Sequence, residues 1–129
     1  MQHSNAINWF EIPENDFDRS RKFYETIFNY VMPESMVGTT RMGFFLYDFE
    51  EGKIGGAIVR RAEDAVAGEN STLVYLNCQP DLQVVADRVK AAGGKLLVAK
   101  TPVAPGQNLG YRALMLDTEG NKVALHSMG

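Results

Sequence analysis

The sequence predicts an α+β fold of two βαβββ modules that share one interior face, each with a helix on its outer side. Two repeats predict it. Asp48-Phe49-Glu50-Glu51-Gly52-Lys53-Ile54-Gly55 matches the stretch from Asp117 to Ala124 at a constant separation of 69 positions. Acid, turn, Lys, β-branched residue and small residue recur in the same order. Earlier in each half, an apolar strand-like run passes through an acidic cap into a helical pattern, from Trp9 to Phe28 and again from Val74 to Gly93, 65 positions apart. A repeated unit of this length does not bury its own apolar face, so two copies imply a paired structure with a common inner surface.

The elements follow in order. In module one (residues 6–61), residues 6–12 alternate as a strand, with Phe10 and Ile12 on one face and Ile7, Trp9 and Glu11 on the other. Asn15 and Asp16 suit the start of a helix, where a side-chain oxygen accepts from free N–H groups. Phe17, Phe23, Tyr24, Ile27 and Phe28 then fall at helical spacing as a stripe for packing on the sheet. Asn29 suits a left-handed stop. Residues 30–33, 41–49 and 54–60 read as strands, the last two joined through Glu50-Glu51-Gly52. Residues 62–71 are charged and small, without an apolar face, and read as the linker. Module two (residues 72–128) repeats the order: a strand at 73–77, a helix opened by Pro80-Asp81 with Leu82, Val85, Val89 and Ala92 on its buried stripe, and a stop at Gly93-Gly94. A strand at 95–100, a Pro- and Gly-containing loop at 101–110, and strands at 109–116 and Lys122–Ser127 complete it.

At 129 residues the chain is long enough for one domain that buries roughly two-thirds of its unfolded surface. A net charge of −3 argues against nucleic acid, whose binding needs Lys and Arg on phosphates. The sequence lacks an apolar run of membrane-spanning length, and its N-terminus reads as a strand rather than a leader. The single cysteine, Cys78, allows no internal disulfide and fits a reducing cytoplasm.

Trp9-Phe10-Glu11-Ile12-Pro13, followed by Asp16-Phe17-Asp18-Arg19-Ser20 and Phe23-Tyr24-Glu25, resembles the opening of the vicinal oxygen chelate superfamily. Its members include glyoxalase I, extradiol dioxygenases, fosfomycin-resistance enzymes and bleomycin-resistance proteins. Asp117-Thr118-Glu119-Gly120-Asn121-Lys122-Val123 resembles the superfamily's closing turn. The resemblance covers essentially the whole chain. It implies mixed curved sheets forming a cup, and a homodimer in which the cup is completed across the interface. In metal-dependent members four ligands converge inside the cup, one from a first-strand and one from a last-strand position of each half. Carried across, these positions are Trp9 and Gly55 in module one and Val74 and Ala124 in module two. An indole, a hydrogen, an isopropyl and a methyl offer no donor to a divalent cation. The resemblance therefore implies a scaffold without the usual metal, and no cofactor is expected.

Strand parity, taken with the separation of 65, puts Trp9, Glu11, Val74, Leu76, Ala124 and His126 on the cavity side. Glu11 and His126 are the two ionisable residues there. They read either as a carboxylate–imidazole pair for acid–base work or as solvated strand-end residues. Trp9 reads as a surface on which a ligand ring stacks or as filler where a metal would sit. Tyr47 and Tyr111 read as hydroxyl donors to a ligand or as partly buried structure. Gly55-Gly56 marks a bulge or a close approach by another group. Three functions remain: a metal-free binder of a small organic ligand, a lyase or isomerase using Glu11 and His126 with or without a non-standard metal, and an interaction dimer.

Overall fold

The computed structural model describes residues 5–60 and 67–129. The first half of the expected linker, 62–66, lies outside the described residues. Module one comprises β1 (Phe10–Pro13), α1 (Phe17–Phe28), β2 (Glu34–Val37), β3 (Thr40–Phe44) and β4 (Gly56–Val59). Module two comprises β5 (Val74–Asn77), α2 (Leu82–Val89), β6 (Lys95–Pro102), β7 (Tyr111–Leu116) and β8 (Lys122–Ser127). Each module is one open four-stranded mixed sheet, ordered β1-β4-β3-β2 and β5-β8-β7-β6, with the first and last strands parallel and the rest antiparallel.

Both helices start where the sequence places them. The Asp16 carboxylate accepts from the Arg19 N–H at 3.0 Å, and Asp81 accepts from the Gln83 N–H at 2.9 Å, each satisfying an orphan donor of the first turn. Asn29 closes α1 in the left-handed conformation, φ 55°. The second strand falls elsewhere than expected. Residues 30–33 are not a strand: Met32 is buried, its N–H donates to Glu25, and its carbonyl accepts from Arg21. The strand is Glu34–Val37, exposed along its whole length and turned into β3 at Gly38, whose φ is 62°. An exposed edge strand lacks the alternation by which strands are read. The expected strand at 41–49 ends at Phe44, and Phe49–Glu51 is a single 3-10 turn.

One core joins the modules. Ile12, Phe17, Phe23, Tyr24, Ile27, Met32, Phe45 and Ile58 from module one pack with Leu76, Leu82, Val85, Val89, Met115 and Leu125 from module two. The helices touch, and Arg88 Nη1 donates to the Ile27 carbonyl at 3.1 Å. A polar lock fastens the start of module one to the closing turn of module two. Tyr24 donates to Asp117 at 2.8 Å, while Asp117 also accepts from the Glu119 and Asn121 N–H groups and from Asn121 Nδ2. Asn121 Nδ2 in turn donates to the Pro13 carbonyl at 2.8 Å. Arg19 grips the Glu119 carboxylate through two nitrogens at 2.8 and 2.9 Å, and the Asp16 N–H donates to it at 2.7 Å. The opening and closing motifs are thus two halves of one contact.

The strand registers correct the alignment of the halves. Phe10 pairs with Gly56 and Val74 with Val123, so the first strands correspond 64 positions apart and the last strands 67. One more residue separates β5 from α2 than β1 from α1, and a longer passage separates Asp48 from β4 than Asp117 from β8. A slip of one residue turns a strand over. Val74 and Leu76 therefore face the helix side, with Leu76 in the core; Tyr75 and Asn77 share the open face with Ala124 and His126. A slip of two leaves the face unchanged but moves the position: Ala57, not Gly55, is the counterpart of Ala124, and Leu73, not Val74, that of Trp9.

Candidate functional site

The open face of the first sheet is apolar apart from Glu11. Met42, Ala57 and Val59 are buried there with Phe44 packed beside them. Trp9, just before β1, lies edge-on to Phe44 at 6.1 Å and to Tyr47 at 6.0 Å. The glycine before β4 and the glycine that opens it explain how rings come so close. A Cβ on Gly55 would overlap the Tyr47 ring, and one on Gly56 would overlap the Phe10 ring, so Gly55 admits a ring on one face and Gly56 on the other.

The open face of the second sheet is polar. Tyr75 on β5, His126 on β8 and Arg112 on β7 are neighbours by register. Arg112 Nη1 donates to the Tyr75 hydroxyl at 2.6 Å, and the Tyr75 ring meets the His126 ring edge-on at 6.3 Å. His126 Nε2 lies 2.9 Å from the Leu109 carbonyl, which only accepts, so Nε2 carries a proton and Nδ1 is the acceptor of the neutral ring.

Between β1 and β5 runs a crevice of about 930 Å³. Trp9, Tyr47, Ile54 and Gly55 line one side, and Leu73, Tyr75 and Asn77 the other. Phe10, Phe28, Tyr30, Phe45, Val74 and Leu76 also line it, and Asp48 and Lys53 bring charge to the wall. The volume lies within the range of small-molecule sites, as does the mixture of apolar wall and few polar groups.

Of the residues singled out from sequence, Trp9, Tyr47, Gly55, Val74 and Leu76 reach this crevice, the last two from the helix side of β5. Ala124 is fully buried at the middle of β8. Tyr111 pairs with Ser127 on the helix side, packs against the core, and carries Lys100 over its ring at 4.7 Å; it does not line the crevice. Glu11 is on the open face of β1 but lines a separate cleft of about 240 Å³ with Ser71, Thr72, Asn121, Lys122 and Val123. His126 lies three residues beyond Val123, roughly 10 Å along the strand, and its Nε2 is engaged by the Leu109 carbonyl. Sequence reasoning missed Tyr75, Asn77 and Arg112. The alternation of Arg112 and Leu114 against Tyr111, Ala113 and Met115 was the available signal.

Donor chemistry at the four superfamily metal positions does not fit a divalent ion. Corrected by register, those positions hold Trp9, Ala57, Leu73 and Ala124. Among the described residues, no group of three or more His, Cys, Asp or Glu is placed to hold a metal. Cys78 is buried, which pushes its thiol up to about 12, so it is a neutral packing residue. Two carboxyls near the lock diverge. Burial, then the charge of Asp117, pushes Glu14 up to about 10, and neither of its carboxyl oxygens has a hydrogen-bond partner. Burial acts on Glu119 in the same direction, but bonds from Arg19, the Asp16 N–H and Thr118 outweigh it and hold that carboxyl below its ordinary range.

Two βαβββ modules flanking an aromatic-walled crevice define a class of paired-module proteins. The profile of the Glyoxalase/Bleomycin resistance protein/Dioxygenase superfamily matches residues 6–125, and the chain belongs to that superfamily. Solved structures agree in fold. A glyoxalase-related enzyme from Fulvimarina pelagi superposes with TM-score 0.65 at 18% identity, covering 95% of this chain and 87% of that one. The genomically encoded fosfomycin resistance protein FosX from Listeria monocytogenes gives 0.64 at 19%, over 98% and 92%. A glyoxalase/bleomycin resistance protein from Albidiferax ferrireducens gives 0.64 at 18%, over 95% and 98%. At such identities the likeness establishes the fold. No curated protein matches in sequence.

Proposed function

We propose that this glyoxalase/bleomycin-resistance-like protein binds a small organic ligand in the crevice between β1 and β5, without a resident divalent metal. One observation carries the reading: the crevice has an aromatic wall built around Trp9 and Tyr47, while the four superfamily metal positions hold side chains without a donor. Binding there rests on apolar burial and ring contacts, and orientation on the few polar groups at the rim. Trp9 is the only tryptophan, so its fluorescence reports the crevice directly. Titration with a library of small aromatic and aliphatic fragments is expected to give a saturable change for some of them. A flat response to every fragment, with Trp9 emission unaltered, contradicts the reading.

A lyase or isomerase acting through Glu11 and His126 has less support, because the two lie on different parts of the open faces. The same proposal puts the protein in the cytoplasm, where Cys78 stays reduced, and in a homodimer formed through edge strands such as β2 and β6, which carry exposed Met36, Val37, Leu97 and Val98. No described helix is long and apolar enough to cross a membrane.

A further inference from the structure

Arg112 is held differently from most of the other described arginines. Arg19 faces Glu119, Arg21 faces Glu25 and Glu34, and Arg41 faces Asp18 and Glu34. No described carboxylate pairs with Arg112; its contact is the Tyr75 hydroxyl. In a chain of net charge −3, a guanidinium on the open face of a sheet with no carboxylate partner among the described residues has a preference for an anion. The geometry around it is built rather than loose. Arg112 uses Nη1 on Tyr75 and keeps other N–H donors of its planar fork. Tyr75 accepts that bond through oxygen, so its own proton is still available to donate. His126 packs against the Tyr75 ring while its Nε2 is tied to the Leu109 carbonyl, which fixes the phenol from behind. Two donors, the charged Arg112 fork and the Tyr75 hydroxyl itself, therefore stand side by side.

Tyr75 also lines the crevice, with Trp9 and Tyr47 on the opposite wall. A ligand that reaches both must carry a flat apolar body and an anionic group at one end. From this geometry we propose that the ligand class is a small aromatic carboxylate, its ring against Trp9 and Tyr47 and its carboxylate on Arg112 and the Tyr75 hydroxyl. The proposal rests on the crevice being the binding site and adds the chemistry of its occupant. Carboxylate suits the site better than phosphate, because a single guanidinium with one hydroxyl offers a planar two-donor edge and one positive charge. His126 is a positioning residue here, acting through Tyr75.

The test is calorimetric titration of the intact protein with benzoate, benzamide and inorganic phosphate. Benzoate is expected to bind at least tenfold more tightly than benzamide, and phosphate to bind no better than benzamide. Arg112→Met is expected to erase the benzoate advantage, so that benzoate binds no more tightly than benzamide. Tyr75→Phe is expected to reduce it severalfold, and Trp9→Ala to weaken both aromatic probes. Circular dichroism of each variant establishes that it is folded, and Arg112→Lys provides a second variant that keeps the charge but loses the fork, for which partial loss is expected. Equal binding of benzoate and benzamide, indifferent to Arg112, overturns the carboxylate proposal while leaving the crevice reading intact. Phosphate binding as tight as benzoate shows a generic anion site and also overturns it. Failure of both aromatic probes, together with failure of every neutral fragment to perturb Trp9, overturns both.

Discussion

Glu14 and Asp117 show how two buried carboxyls meet opposite surroundings within one small region. Asp117 is buried but surrounded by donors, whereas Glu14 is buried with none. Glu14 is neutral in the native state up to about pH 10 and ionises near its ordinary 4.5 in the unfolded chain. Between those values the native state binds more protons, so the contribution of this group is fully present below pH 4.5 and is lost as pH rises towards 10. At about 1.4 kcal/mol per pH unit, the loss approaches ~3 kcal/mol at neutrality. Glu14→Gln, neutral at every pH, is expected to match the parent near pH 4.5 and to exceed it at pH 8, measured as denaturant midpoints; parallel curves would contradict the assignment. Asp117→Ala strands the Tyr24 hydroxyl and the donors of the closing turn, and is expected to cost about 3 kcal/mol or more; Tyr24→Phe, which removes one donor, is expected to cost about 1–2. At this scale the sequence was partly legible. Trp9, Tyr47 and Gly55, which reach the crevice, were identifiable because a lone indole, a tyrosine on an expected strand and a Gly-Gly pair are unusual in themselves. The Tyr75–Arg112–His126 cluster was not, because its members come from three strands whose register no local pattern states.

At the scale of elements, both helices and six of the eight strands were legible to within a few residues, since caps and alternation are local signals. The two exceptions have different physical causes. The exposed β2 has no buried face to pattern, and the strand before the 3-10 turn ends early because Phe45 leaves β3 to join the core. The alignment of the modules was close but wrong by one residue in β5 and by two in β4. That small error turned Val74 and Leu76 outward on paper. Gly55 and Gly56 give a test of the strand faces. Gly56→Ala pushes into the Phe10 ring on the core side and is expected to destabilise the fold by about 1–3 kcal/mol. Gly55→Ala pushes the Tyr47 ring on the open side and is expected to alter ligand binding with a smaller loss of stability. Equal effects on stability and no effect on binding would show that Tyr47 is not part of the site.

At the scale of the whole molecule, the lock between the opening and closing motifs joins the modules by tying the end of β1 and the start of α1 to the turn before β8, and residues of β1 and β5 line the crevice. The fold class followed from an internal repeat, because pairing two βαβββ units is the economical way to cover both apolar faces. The occupant did not follow, since members of one fold carry unrelated sites. A homodimer is expected in sedimentation at about ten micromolar, a concentration suited to an interface of standard size; a clean monomer would contradict it. The central claim is that ligand enters the crevice without a metal, and Trp9 fluorescence on chelator-treated protein tests it most directly. The account predicts saturable binding of an aromatic fragment with the same Kd before chelation, after it, and after zinc, nickel, iron or manganese is added back. Binding that disappears with chelator and returns with one divalent metal would contradict it.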